Sequence, residues 1–185
     1  MILDRRMPKM ELKTISLPTR QIEIEVYTSS TETSENVPAI LLLHELFGVL
    51  DCYREDAQDL ADRGYLVYVP NLFSGGAVKY CIRAMVTKAG RTNAADSDMN
   101  KEIHALLDAL KADPRSNGRL GMLGRCLTGD YVIRMAKRDD MLAPVIYHHS
   151  LGVEGVGVPK TETLDDIRIL QGHWSTVDPY CPTKK

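Results

Sequence analysis

The sequence predicts a three-layer α/β fold: a mostly parallel sheet with helices on both faces and an antiparallel hairpin at its N-terminal margin. Three observations predict it. Short apolar runs recur along the chain, each bounded on at least one side by Gly, Pro, His or polar residues, as buried parallel strands read. Segments with helical spacing fall between them, which implies βαβ crossovers. A stretch near the N-terminus alternates apolar and polar residues, as a strand with one wet face does. At 185 residues and 44% hydrophobic content, the chain suits one sizeable core and is short for two ordinary domains. Residues 1–10 read as an N-terminal extension and residues 11–185 as a single domain.

The hairpin comes first. Leu12 to Leu17 leads through the turn residues Pro18 to Arg20 into Gln21 to Thr28, where Ile22, Ile24 and Val26 alternate with polar neighbours. The buried strands are then Ala39 to Leu43, Tyr65 to Val69, Leu120 to Leu123, Ala143 to Tyr147 and Ile167 to Leu170. The clearest helix is Met99 to Lys111, in which Ile103, Leu106, Leu107 and Leu110 fall at i, i+3, i+4 and i+7. Asp51 to Arg63 and Thr128 to Arg138 are the other helices. Ser74 to Asn93, with Gly75, Gly76 and Gly90, reads as a long loop with one helical piece over the ligand end of the sheet.

Composition narrows the function. A net charge of −2 offers no basic face for nucleic acid or anionic membrane, and no apolar run approaches a spanning helix. A small-molecule partner is expected. The first ten residues include Asp4, Arg5, Arg6 and Lys9 and lack the apolar core of a secretory signal, so a cytoplasmic location is expected. The four cysteines, Cys52, Cys81, Cys126 and Cys181, are scattered without a Cys-x-x-Cys pair. They read as reduced thiols, with no metal site and no cofactor implied.

Ligands in such folds bind at the carboxyl ends of the strands, so the strand ends are where chemistry is expected. Gly124-Arg125-Cys126-Leu127-Thr128-Gly129 follows an apolar strand and opens a helix, a position that lifts a nucleophile out of the sheet. A free thiol has a pKa near about 8.5 and needs help to ionise. The helix start, Arg125 if turned inward, and Glu45 as proton acceptor are the candidates for that help. After Ala39 to Leu43 comes His44-Glu45-Leu46-Phe47-Gly48. It reads as a functional turn, or as a loop carboxylate beside a packed core histidine. After Ile167 to Leu170 the chain reaches Asp178-Pro179-Tyr180-Cys181-Pro182, where an aspartate suits the acid of a nucleophile-acid-base triad. His148 and His149 end the Ala143 to Tyr147 run, and His104 flanks the apolar stripe of its helix and reads as structural.

Taken together, the His-Glu-x-Phe-Gly turn, the Gly-x-Cys-x-x-Gly elbow and the late Asp-x-x-x-Pro, in that order, resemble the dienelactone hydrolase family of the α/β-hydrolase superfamily. Arg63-Gly64-Tyr65 and Pro70-Asn71-Leu72-Phe73 around an intervening strand are similar to that family too. The resemblance runs from about Leu12 to Pro182. It implies an α/β-hydrolase-like fold and cleavage of a small, anionic ester or lactone. Cys126 would be the nucleophile, Glu45 would take its proton, and the backbone N–H groups of Leu46 and Leu127 would form the oxyanion hole. Asp178 would orient a histidine. Arg83, Arg91, Arg125 and His149 are candidates for holding the substrate.

Two departures from the family pattern shape further expectations. Seven residues follow Asp178 and none is His; all five histidines precede it. The resemblance therefore implies a C-terminally shortened fold without the last strand, the triad histidine and the last helix. Weak or absent turnover follows, since losing a triad histidine lowers rates by roughly 10^4- to 10^6-fold. An uncovered edge at Ile167 to Leu170 would then invite a homodimer. Thr128 stands where such elbows usually carry Gly, which predicts crowding and backbone strain. Alternative readings are a non-catalytic α/β-hydrolase-like binding or interaction protein, and a glutamine-amidotransferase-like cysteine enzyme. The latter accounts less well for the Asp178 segment.

Overall fold

A computed structural model describes residues 9–29, 36–45, 47–73, 98–126 and 128–149, with the backbone alone for Lys9, Cys126, Asp130, His148 and His149. Within them lies a six-stranded mixed sheet of order β1-β2-β4-β3-β5-β6. The strands are β1 (Lys9–Ser16), β2 (Gln21–Thr28), β3 (Val37–Leu43), β4 (Leu66–Pro70), β5 (Ser116–Cys126) and β6 (Met141–His149). The helices are α1 (Asp51–Asp62), α2 (Asp98–Lys111) and α3 (Gly129–Met135). β1 and β2 form the predicted hairpin at one margin, closed by a turn in which Leu17 N–H donates to the Arg20 carbonyl at 2.7 Å. β2 meets β4 antiparallel, while β4, β3, β5 and β6 run parallel to one another.

Side-chain alternation separates the two faces. Leu41, Leu43, Leu66 and Tyr68 join Ile103, Leu106, Leu107 and Leu110 of α2 and Val132 of α3 in the larger core. Leu42, Val67 and Val69 point the other way and pack on Ala57 and Ala61 of α1. A strand buried on both faces can be apolar at every position, which is why these strands read as continuous runs. The amphipathic stripe of α2 is buried as its spacing predicts, with Asp98 in its first turn and Lys111 in its last complementing the helix dipole.

β5 and β6 are longer than their predicted apolar cores. In β5, Gly118, Gly121 and Gly124 interrupt the hydrophobic pattern without interrupting the strand. α3 is shorter than predicted: the helix ends at Met135, with Ala136 as its cap, and the chain reaches β6 by turns in which Arg138 N–H bonds the Met135 carbonyl at 3.0 Å. β1 starts two residues inside the segment read as an N-terminal extension. The predicted strand Ile167 to Leu170, with its expected open edge, and the predicted loop Ser74 to Asn93 lie outside the described residues. Among the described residues no helix is long and apolar enough to cross a membrane.

Candidate active site

The carboxyl ends of β4, β3, β5 and β6 lie side by side, and Glu45, Cys126 and His149 stand at three of them. Leu43 pairs with Gly124 in the parallel β3–β5 register. Glu45 and Cys126 thus each stand two residues beyond one rung of the ladder, on neighbouring strands. On the far side of β5, Cys126 is the register partner of His149 at the end of β6, past an irregularity between Arg125 and Cys126.

Gly124 makes the elbow possible. A Cβ there would lie 2.6 Å from the Thr128 carbonyl oxygen and 2.6 Å from Val132 Cγ2, so only a residue without one lets α3 fold back so tightly on the end of β5. The strain predicted at Thr128 is not found. Thr128 is buried in the ordinary right-handed helical region, φ −82° and ψ −11°. Its hydroxyl accepts the Arg125 N–H at 3.0 Å and donates to the Arg125 carbonyl at 2.9 Å. Its own N–H reaches that carbonyl at 3.1 Å. The close approach that these elbows usually meet with Gly two residues after the nucleophile is met here at Gly124, and Thr128 ties the turn.

At the end of β3, Gly48 N–H donates to the Glu45 carbonyl at 3.2 Å, closing a turn whose last residue has φ +87°, a conformation that favours glycine. Glu45 is half-buried, and its N–H donates to the Tyr53 hydroxyl at 3.0 Å. Phe47 is exposed at the rim. His44, left open between function and packing by the sequence, is fully buried with both ring nitrogens bonded to backbone. Nδ1 lies 2.6 Å from the Glu45 carbonyl, and Nε2 accepts the Leu72 N–H at 3.0 Å. Burial, the largest influence, pushes its pKa below 6.5, while the bond to the Glu45 carbonyl and the Glu45 charge work the other way. The imidazole is committed to the scaffold and is not a free base.

Arg125 extends from β5 toward α1. It forms an ion pair with Asp56, and its guanidinium lies 5.0 Å from the Tyr53 ring centroid and 5.2 Å from that of Tyr147. The cation links elbow, first helix and last described strand. Tyr53 and Asp56 therefore matter to the site, yet within the sequence they are only two positions of an amphipathic helix. Nothing local signals their contact with Arg125. His104 is exposed on α2, its Nδ1 3.0 Å from Arg138 Nη1. Of the other predicted site residues, Asp178, Arg83, Arg91, Leu46 and Leu127 lie outside the described residues, as does His173. Among the described residues no three His, Cys, Asp or Glu side chains are grouped to hold a metal ion.

Comparison with known proteins bears on the family and the fold. The family model of the dienelactone hydrolase family covers residues 24–182. The chain is 28% identical over 156 residues to carboxymethylenebutenolidase 1 of Cupriavidus pinatubonensis, covering 80% of this chain and 64% of that protein. It is 25% identical over 130 residues to the carboxymethylenebutenolidase of Pseudomonas putida, covering 66% of this chain and 52% of that one. The chain thus spans between half and two thirds of these curated relatives. Among solved structures it superposes on m3DLH with a TM-score of 0.66 and 23% identity, over 90% of this chain and 76% of that one. A dienelactone hydrolase-like promiscuous phosphotriesterase from metagenomic libraries gives a TM-score of 0.65 at 16% identity, over 89% and 78% of the two chains. The α/β-hydrolase-like sheet, the elbow at the end of β5 and the family match agree: the chain belongs to the dienelactone hydrolase family.

Proposed function

We propose that this chain carries the site of a cysteine-dependent hydrolase acting on a small, anionic ester or lactone. One observation carries the reading: in a chain of this family, Cys126 is the last residue of β5, beside the Glu45 turn of β3. Cys126 is assigned as nucleophile and Glu45 as acceptor of its proton. The thiolate adds to the acyl carbon, the C–O bond breaks, and the leaving oxygen takes up a proton. Water then cleaves the thioester, releasing the acid and restoring the thiol. The N–H groups of Leu46 and Leu127 are assigned to the developing oxyanion, a role in which one donor is worth roughly 3 to 4 kcal/mol. Asp178 is assigned to orient an imidazole. His149, Arg125, Arg83 and Arg91 are assigned to the substrate side.

Relatives named carboxymethylenebutenolidase support a lactone bearing a carboxylate. The test is ring opening of a carboxymethylene-substituted butenolide, followed by its ultraviolet absorbance. Wild type, without a histidine after Asp178, is expected to open the ring only weakly above the buffer rate, Cys126→Ala to fall to the buffer rate, and Glu45→Gln to retain a small fraction of the wild-type excess. Tight binding of the lactone with no ring opening would replace this reading with that of a non-catalytic binding protein.

A further inference from the structure

We propose that β1 is a self-pairing edge: two copies of this chain join antiparallel along it, with a two-fold axis at Leu12. Among the described residues β1 has no neighbour on its outer side. The unpaired backbone groups of such an edge are a template for another strand. A second copy fits it because of the order of its charges.

Side chains along a strand alternate between the faces of the sheet, so Glu11 and Lys13 share one face. Buried Asp113 lies on that face. Arg115 Nη2 donates to Asp113 Oδ2 at 2.8 Å and Arg115 Nη1 to Glu11 Oε2 at 3.2 Å, while Lys13 Nζ lies 3.8 Å from Asp113 Oδ2. These contacts make an open line, Lys13–Asp113–Arg115–Glu11, positive at one end and negative at the other. Both ends reach water, the Lys13 and Glu11 side chains being 41% and 59% exposed.

A two-fold axis perpendicular to the sheet preserves its faces, and residues opposite each other must point the same way, so the axis has to pass at a residue. At Leu12 it sets Glu11 of each copy against Lys13 of the other. The two open lines then close into one ring of alternating charge. On the opposite face the same register covers exposed Leu12 with its own copy and sets exposed Met10 against Thr14. Moving the axis to Glu11 or to Lys13 puts that charge opposite itself, which is destabilising. Moving it farther, to Met10 or Thr14, shortens the paired stretch of β1. A lysine on an edge strand ordinarily discourages pairing. Lys13 is drawn inward instead, its Nζ donating to Tyr68 Oη at 3.3 Å. β2 and β4 separate β1 from β3, so the Glu45 turn takes no part in the contact.

One strand pair is a small contact beside the roughly 1,200 to 2,000 Å² of a standard interface, so the dimer is expected to dissociate on dilution. Sedimentation velocity of the full chain over a range of concentrations should show that equilibrium. Glu11→Lys alone, or Lys13→Glu alone, sets like charges opposite each other twice and should leave monomers. Mixed one to one, the two variants set opposite charges across both pairs and should form a mixed dimer.

Because Lys13→Glu places a carboxylate beside buried Asp113, a second measurement uses the exposed side chains. Residues opposite each other in an antiparallel pair have Cα atoms about 4.5 to 5.5 Å apart, within disulfide reach. Leu12→Cys should therefore link to its own copy in oxidised glutathione, as peptide mapping would show. Met10→Cys should not, since its thiols would be offset by roughly 14 Å along the strands. A wild type that is monomeric at every concentration, a dimer unaffected by Glu11→Lys, or equal linking of Met10→Cys and Leu12→Cys would overturn the proposal.

Discussion

At the residue scale, the elbow departs from its family pattern without strain. Gly-x-Cys was legible in the sequence because the motif is local. The role of Thr128 was not, because whether a hydroxyl crowds a turn or ties it depends on contacts that only the folded chain shows. Thr128→Gly removes two hydrogen bonds to Arg125 and adds unfolded-state freedom, so it should lower stability by about 1 to 2 kcal/mol in urea unfolding. A strained elbow would instead be stabilised by that change. Gly124→Ala forces its Cβ to within 2.6 Å of Thr128 and Val132. It should cost about 1 to 3 kcal/mol, the usual range for overpacking, and displace α3. His44 gives a pH signature. Its folded pKa lies below its unfolded value of 6.5, so below about pH 6.5 the unfolded chain takes up a proton that the folded chain resists. Stability attributable to His44 is full above that pH and falls as pH drops toward the folded pKa, with a slope of at most about 1.4 kcal/mol per pH unit. In His44→Asn this part of the slope should vanish from unfolding measured across that window.

At the element scale, strands and helices were legible wherever burial imposed a period. Both faces of β3 and β4 are covered, so their runs are continuous; α2 shows one stripe because it has one buried face. Glycines hid the full length of β5, and solvent hid that of β6, whose Leu142, Val145 and Tyr147 are exposed. Cross-element ties left no local trace. Asp113, between α2 and β5, is buried and accepts Tyr68 Oη at 2.7 Å, Arg115 Nε at 2.9 Å and Arg115 Nη2 at 2.8 Å. Hydrogen bonding to Arg115, above all, holds its carboxyl far below the usual range, against the opposing effect of burial. Asp113→Ala leaves the Tyr68 hydroxyl without its acceptor and Arg115 without its nearest carboxylate. Because Arg115 keeps access to water and to Glu11, a loss of about 2 to 4 kcal/mol is expected from urea unfolding, toward the lower part of the cost of breaking a buried pair. The carboxylate's contribution is present above pH 3.8, its unfolded value, and fades as the medium is acidified below it.

At the scale of the whole molecule, sheet order does what no segment does alone. The order β4-β3-β5-β6 brings Leu72, the His44–Glu45 pair, Cys126 and His149 to one edge, although long stretches of sequence separate them. The sequence could suggest that strand ends carry chemistry, because parallel strands finish on one side. It could not show that Tyr53 and Leu72 hold the Glu45 turn, since both bonds cross between elements. Everything proposed for the site depends on Cys126 being a nucleophile served by the Glu45 turn. The most direct measurement is intact-mass analysis with peptide mapping after brief exposure of the full chain to p-nitrophenyl acetate. A single acetyl group is expected on Cys126, and is expected to be lost in Cys126→Ala. Acetylation confined to exposed Cys52, or none on any cysteine, would contradict it.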